Sequence, residues 1–264
     1  MIVLVTIDWV VCVPMPIVSQ PLCPASWQSL DGPDVPLRCW WAPANDTFAY
    51  RGRAVLVLPE VFGVNAWVRS VANRLALAGV SALAMPLFAR TAPQLELGYD
   101  PESLAEGRRH KDQAHAASIL ADIAAAAQWL QARGCELLTV VGFCFGGHAA
   151  LLAATLPEVH SSIDFYGAGV CQGRPGGGEP SLDLLPQVTG RLLCVCGTDD
   201  PLIPPEDQRQ IAAALRRFDP SGQRLRYVAM EGSDHGFMCE ARSSFHPAAA
   251  ERGWELLLQE ALEA

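Results

Sequence analysis

Cys144 sits in the run Gly142-Phe143-Cys144-Phe145-Gly146-Gly147-His148, between an apolar, β-favouring stretch and an Ala- and Leu-rich one. Strand, tight turn and helix in that order form a nucleophile elbow, where a sharp turn lifts a reactive side chain clear of a sheet. Glycines on both sides let the backbone close that tightly. A thiolate is the reactive form of cysteine, and the positive end of the helix that follows favours it. The same turn aims the backbone N–H of Phe145 at an attacked carbonyl oxygen, one half of an oxyanion hole. As plain structure Cys144 would be a core cysteine after a strand, but the glycine pattern argues for the elbow.

A thiolate nucleophile needs a base, and the base needs a group to orient it. In hydrolases with such an elbow the chain order is nucleophile, acid, histidine, with the last two on loops after later strands. Gly197-Thr198-Asp199-Asp200-Pro201 follows one apolar run, and Ser233-Asp234-His235-Gly236-Phe237 follows the next. His235 is therefore the candidate base. Asp200 is preferred as its orienter because it directly precedes the Pro201-Leu202-Ile203-Pro204 stretch that leads into a helix, and Asp199 is the alternative. His148 is the rival base, yet it lies four residues after Cys144 in the same helix, where it points along the helix flank. His110, His115, His160 and His246 follow no core strand.

These residues need a sheet to carry them. Short apolar runs at 37–41, 54–58, 80–84, 137–141, 161–165, 192–196 and 225–229 read as strands buried on both faces. Helical patterns between them cover 67–78, about 108–133, 145–156, 206–218 and about 247–262. Alternation of this kind predicts an α/β fold with a mostly parallel central sheet and helices on both faces. The Gly- and Pro-rich stretch 167–182 reads as a surface loop. Residues 25–264 are expected to form a single domain. Residues 1–24 are an extension whose apolar run is broken by Asp8, Pro14 and Pro16, short of a membrane span and without the basic start of a signal peptide.

Half of the 264 residues are hydrophobic and 18% are charged, enough to bury a core. A net charge of −9 without a basic run gives no footprint for a nucleic acid. Nine scattered cysteines do not resemble a disulfide framework and suit a reducing cytoplasm. Cys194 and Cys196, two apart on a strand, read as core residues rather than zinc ligands.

Several segments in order resemble the dienelactone hydrolases (carboxymethylenebutenolidases), which have the α/β-hydrolase fold. They are Leu58-Pro59-Glu60-Val61-Phe62-Gly63-Val64-Asn65, Pro86-Leu87-Phe88-Ala89-Arg90, the Cys144 elbow, residues 197–204 and His235-Gly236-Phe237. The likeness runs from about residue 36 to the end. It implies a triad of Cys144, Asp200 and His235, with Glu60 beside the nucleophile to activate it. It also implies the N–H of Val61 as the second half of the oxyanion hole, Arg90 as the residue that binds a substrate carboxylate, and Arg242 as a second arginine at the substrate.

The expected activity is hydrolysis of a small carboxylic ester or lactone, most concretely an enol-lactone carrying a carboxylate. A thioesterase or general carboxylesterase on the same triad is the alternative. A thiol that only senses oxidants needs neither His235 nor Asp200. No phosphate loop, dinucleotide fingerprint or metal-ligand cluster stands in the sequence, so no cofactor, metal, membrane or obligate protein partner is expected.

Overall fold

The computed structural model describes residues 24–44 and 52–263, so the N-terminal extension lies, but for its last residue, outside the described residues. Eight strands form one sheet: β1 (Ser26–Leu30), β2 (Leu37–Ala42), β3 (Arg53–Leu58), β4 (Ser81–Ala84), β5 (Leu137–Phe143), β6 (Val159–Phe165), β7 (Arg191–Gly197) and β8 (Leu225–Met230). Their order is β1-β2-β4-β3-β5-β6-β7-β8. The pairs β1–β2 and β2–β4 are antiparallel, and every pair from β4 to β8 is parallel. Parallel strands with both faces covered need apolar residues at odd and even positions alike. β3 shows this: Val55 and Val57 pack into one core layer, and Ala54, Leu56 and Leu58 into the other.

Among the described residues six α-helices pack around the sheet: α1 (Ala66–Leu77), α2 (Pro101–Lys111), α3 (Ala116–Gln131), α4 (Phe145–Ala153), α5 (Pro205–Phe218) and α6 (Pro247–Glu263), the last of them after the final strand. α1 and α6 share a face of the sheet, tied by the guanidinium of Arg74 lying 3.7 Å over the Trp254 ring. α3 and α4 contribute to the opposite layer through Ile119, Ile123, Ala149 and Ala153. No helix among the described residues is long and apolar enough to cross a membrane.

Two expectations need correction. The helix read at about 108–133 is two helices, α2 and α3, broken at residues 112–115. α2 starts where Asp100 caps the N–H of Ser103 at 2.8 Å with Pro101 in the first turn, and its last turn carries Arg108, Arg109, His110 and Lys111 against the negative helix end. α3 restarts where the N–H of Ala116 donates to Pro175 of the Gly-rich loop at 2.8 Å. That pairing across 59 residues leaves no periodic signal. The second correction adds β1, a half-buried edge strand whose sequence Ser-Trp-Gln-Ser-Leu carries no apolar run to mark it.

The sheet meets α4 at close range. A β-carbon on Gly142 would overlap the carbonyl oxygen of Gly146, and one on Gly146 would overlap the carbonyls of Leu58 and Pro59. Gly142→Ala and Gly146→Ala should therefore each destabilise the fold by about 1–3 kcal/mol or more through overpacking against backbone. A thermal melt checks this, and an unchanged Tm would contradict the close approach.

Candidate active site

Cys144 leaves the sheet between β5 and α4 with φ 56° and ψ −118°. A β-carbon disfavours positive φ, at about 1–3 kcal/mol, and such a residue persists only where its surroundings over-determine it. Here they do: its N–H donates to Phe165 at 3.0 Å and its carbonyl accepts from His148 at 3.1 Å. The side chain is half-buried. Phe145, as the first residue of α4, has an N–H with no intrahelical acceptor.

The β8 loop brings His235 to the site, 5% exposed, with Nδ1 2.8 Å from Asp200 Oδ2. The other Asp200 oxygen accepts the Leu202 N–H at 2.8 Å, so the carboxylate is held at both ends. Asp199 is exposed and meets the hydroxyl of Thr198. The geometry thus pairs His235 with Asp200. A carboxylate on Nδ1 makes that nitrogen the donor and leaves Nε2 as the working atom, and Nε2 is buried without a hydrogen-bond partner. Burial disfavours the imidazolium, but the sulfur of Cys144 and the hydrogen bond to Asp200 outweigh it and push His235 up to about 10. That shift marks a histidine able to hold a proton.

Glu60 follows β3 and is 1% exposed. Its Oε1 accepts from Arg242 Nη1 at 2.6 Å, and its Oε2 has no partner. Burial pushes the carboxyl up, opposed chiefly by the charge of Arg242. Arg242 reaches Glu60 across Gly236 (φ 85°), where any β-carbon would overlap the guanidinium. Val61 comes next in the chain, and α2 packs on its carbonyl where Gly107 has no side chain.

Arg90 is placed differently from its expected role. Nη1 and Nη2 form a two-pronged pair with Asp122 at 2.7 and 3.0 Å, while Nε and Nη2 lie 3.1 and 2.7 Å from Asp34. Asp122 is 1% exposed, and a buried carboxylate on α3 needs this cation. Two carboxylates already fill the guanidinium, so its reading as the substrate-carboxylate clamp does not fit this geometry. His148 is likewise structural. Its Nδ1 is 3.0 Å from the Ala168 carbonyl and its Nε2 is 2.7 Å from the Ser181 hydroxyl. Burial pulls it down to about 4, leaving it a neutral strut for the Gly-rich loop. That loop, Phe145 and His148 wall a cleft of about 520 Å³ that borders the elbow without reaching His235 or Asp200.

Sequence reasoning missed Tyr166. It follows β6 with φ 45°, is fully buried, and stacks edge-on against His235 at 5.2 Å between ring centroids. The available signal was an aromatic residue and a glycine, Tyr166-Gly167, directly after a core strand.

An elbow, a His–Asp pair and a carboxylate, all at the carboxyl ends of β3, β5, β7 and β8 of a mostly parallel sheet, define an α/β-hydrolase. Within that class the chain belongs to the dienelactone hydrolase family, whose model matches residues 42–260. It is 39% identical over 208 residues to a provisionally named carboxymethylenebutenolidase of Synechocystis sp., covering 78% of this chain and 83% of that protein. A provisionally named 2-oxo-3-(5-oxofuran-2-ylidene)propanoate lactonase of Bradyrhizobium sp. is 30% identical over 206 residues, 76% of this chain and 79% of that one. Among solved structures, a protein from Klebsiella pneumoniae provisionally assigned as a dienelactone hydrolase superposes with a TM-score of 0.79 at 25% identity, covering 91% of this chain and 98% of the other.

Two outcomes follow from this geometry. His235→Ala and Asp200→Asn should each lower kcat/KM by roughly 10³- to 10⁴-fold, with Asp199→Asn mild, the result expected wherever a catalytic histidine and its orienter act as a unit. The reverse ranking of the two aspartates in steady-state assays would contradict the pairing. Arg90→Ala should destabilise the protein by about 3–5 kcal/mol by stranding Asp122, visible in denaturant unfolding; a fully stable variant with altered substrate choice would restore Arg90 to the substrate.

Proposed function

We propose that Cys144 is the nucleophile of this hydrolase, with His235 as base and then acid, Asp200 as orienter, and the N–H groups of Phe145 and Val61 as oxyanion hole. The observation that carries this reading is His235, anchored through Nδ1 on Asp200 at 2.8 Å with Nε2 buried and unpartnered. An imidazole held so firmly by one nitrogen is set to exchange a proton through the other.

In the reaction, the Cys144 sulfur forms a bond to the carbonyl carbon, and the carbonyl electron pair moves to oxygen, where backbone N–H groups receive it. That pair returns as the ring or ester C–O bond breaks, and the leaving oxygen takes the proton carried by His235. A water, losing a proton to His235, then attacks the thioester; the C–S bond breaks and the thiol is restored. The substrate is a small ester or lactone, most concretely an enol-lactone bearing a carboxylate. We assign recognition of that carboxylate to Arg242, which a substrate anion can reach by displacing Glu60. Glu60, once released, takes the thiol proton and passes it to His235, and this is the proton that the leaving oxygen receives.

A general carboxylesterase or thioesterase is the second reading, and one observation favours it: Arg90 and Arg242 both carry carboxylate partners already. Neutral substrates would then need no cation. The seven described cysteines are all free, which fits a reducing cytoplasm.

The test is kcat/KM for a matched pair of substrates, one with a free carboxylate near the reacting carbonyl and one with its methyl ester, on wild type and Arg242→Ala. The acid should be favoured on wild type by about tenfold to a hundredfold, since a charge-assisted contact is worth roughly 1.5–3 kcal/mol. Arg242→Ala should erase the preference. Equal rates on wild type would leave the plain esterase. Activity should also be lost on alkylation of Cys144 and survive a chelator.

A further inference from the structure

Among the described residues only two other than glycine have positive φ, Cys144 at 56° and Tyr166 at 45°. They are neighbours. β5 and β6 run parallel with Phe143 beside Phe165, so the next residue of each strand leaves the sheet side by side. The turn that holds Tyr166 is tightly built. Asp164 accepts the Gly167 N–H at 2.7 Å, the Tyr166 N–H donates to Val195 at 2.8 Å, and a β-carbon on Gly167 would overlap Asp164 and the backbone of His148. Backbone strain held this firmly collects at functional sites.

The Tyr166 ring packs edge-on against His235 and, at 5.1 Å, Phe237. A phenylalanine would keep every one of these contacts. What it would lack is the hydroxyl, and that hydroxyl is buried with no hydrogen-bond partner. An unpaired buried hydroxyl destabilises a fold, so its presence points to a partner that arrives in another state of the site. Glu60 Oε2 is the matching atom, a buried acceptor that makes no hydrogen bond of good geometry, although the Tyr99 hydroxyl also acts on its carboxyl. Because β3, β5 and β6 are adjacent in the sheet, Glu60, Cys144 and Tyr166 emerge in that order along one edge, with the nucleophile between.

We propose that Tyr166 is a positioning residue whose hydroxyl is the second seat of Glu60: when a substrate anion takes Arg242, the carboxylate exchanges its ion pair for a hydrogen bond from Tyr166, which holds it beside Cys144. The exchange breaks the Arg242 Nη1 contact to Oε1 and makes one from the phenol to Oε2; no proton is transferred in this step. Burial, and after it the charge of Glu60, push the phenol well up, so it remains a donor. The proposal rests on the cysteine-hydrolase reading and adds the group that steadies its activating carboxylate. Tyr99 is the rival donor, since its hydroxyl accepts from Asn65 at 3.2 Å and it also acts on Glu60.

The experiment is a set of double-mutant cycles on the full chain, with Tyr166→Phe and Tyr99→Phe each made in wild type and in Glu60→Gln, reading Tm, kcat and KM on a carboxylate-bearing lactone. Tyr166→Phe should keep or raise Tm, since it deletes an orphan hydroxyl. It should lower kcat by about tenfold to a hundredfold with KM unchanged, the range expected for a hydrogen bond to a charged group. In Glu60→Gln it should have little further effect. A kcat within twofold of wild type would overturn the proposal. So would an equal loss in both backgrounds, a large drop in Tm, or coupling to Glu60 that runs through Tyr99 alone. Failure of the underlying reading looks different: wild type would turn over no ester or lactone, and both inferences would fall together.

Discussion

The strained backbone at Cys144 sets the position of everything else in the site. A non-glycine residue at φ 56° is tolerated because Gly142, Gly146 and Gly147 let β5, α4 and the end of β6 approach more closely than side chains would permit. This closeness lifts Cys144 off the sheet and sets it at the N-terminus of α4. Glu60 follows β3 on one side of β5, and Asp200 and His235 follow β7 and β8 on the other, so each is placed relative to the elbow by the order and register of the sheet.

Around this point the structure distributes charge in pairs. His235 leans on Asp200, Glu60 on Arg242, and Arg90 on Asp122. The first two pairs leave one atom each unpartnered, Nε2 of His235 and Oε2 of Glu60. The third is closed at both ends. Open pairs are where chemistry can enter, because a buried unpaired acceptor or donor gains most from a partner that substrate or reaction brings. A closed pair such as Arg90–Asp122 contributes to the fold instead. The difference between Arg90 and Arg242 is therefore a difference in what each carboxylate has left to offer.

Much of this was legible in the residues. The elbow announces itself by glycines at fixed offsets around Cys144, and His235 and Asp200 by loops after apolar runs, because local turn chemistry and strand burial leave short-range patterns. What remained hidden depends on contacts remote in sequence. Nothing near Arg90 shows that Asp122 on α3 will claim it, and Glu60 and Arg242 lie 182 residues apart. Tyr166 reads as an ordinary aromatic residue until the sheet places it beside Cys144. The break between α2 and α3 is concealed likewise, since one of its supports, Pro175, sits in a loop without periodicity.

In the proposed reaction Cys144 carries the acyl group during turnover. Quenching the enzyme with acid during hydrolysis of a slow ester, and mapping the digested chain by mass spectrometry, reads this out. An adduct with the mass of the acyl group is expected on the Cys144 peptide, labile to hydroxylamine as a thioester is, with no turnover in Cys144→Ala. Continued turnover by Cys144→Ala, or an acyl adduct on a different residue, would contradict it.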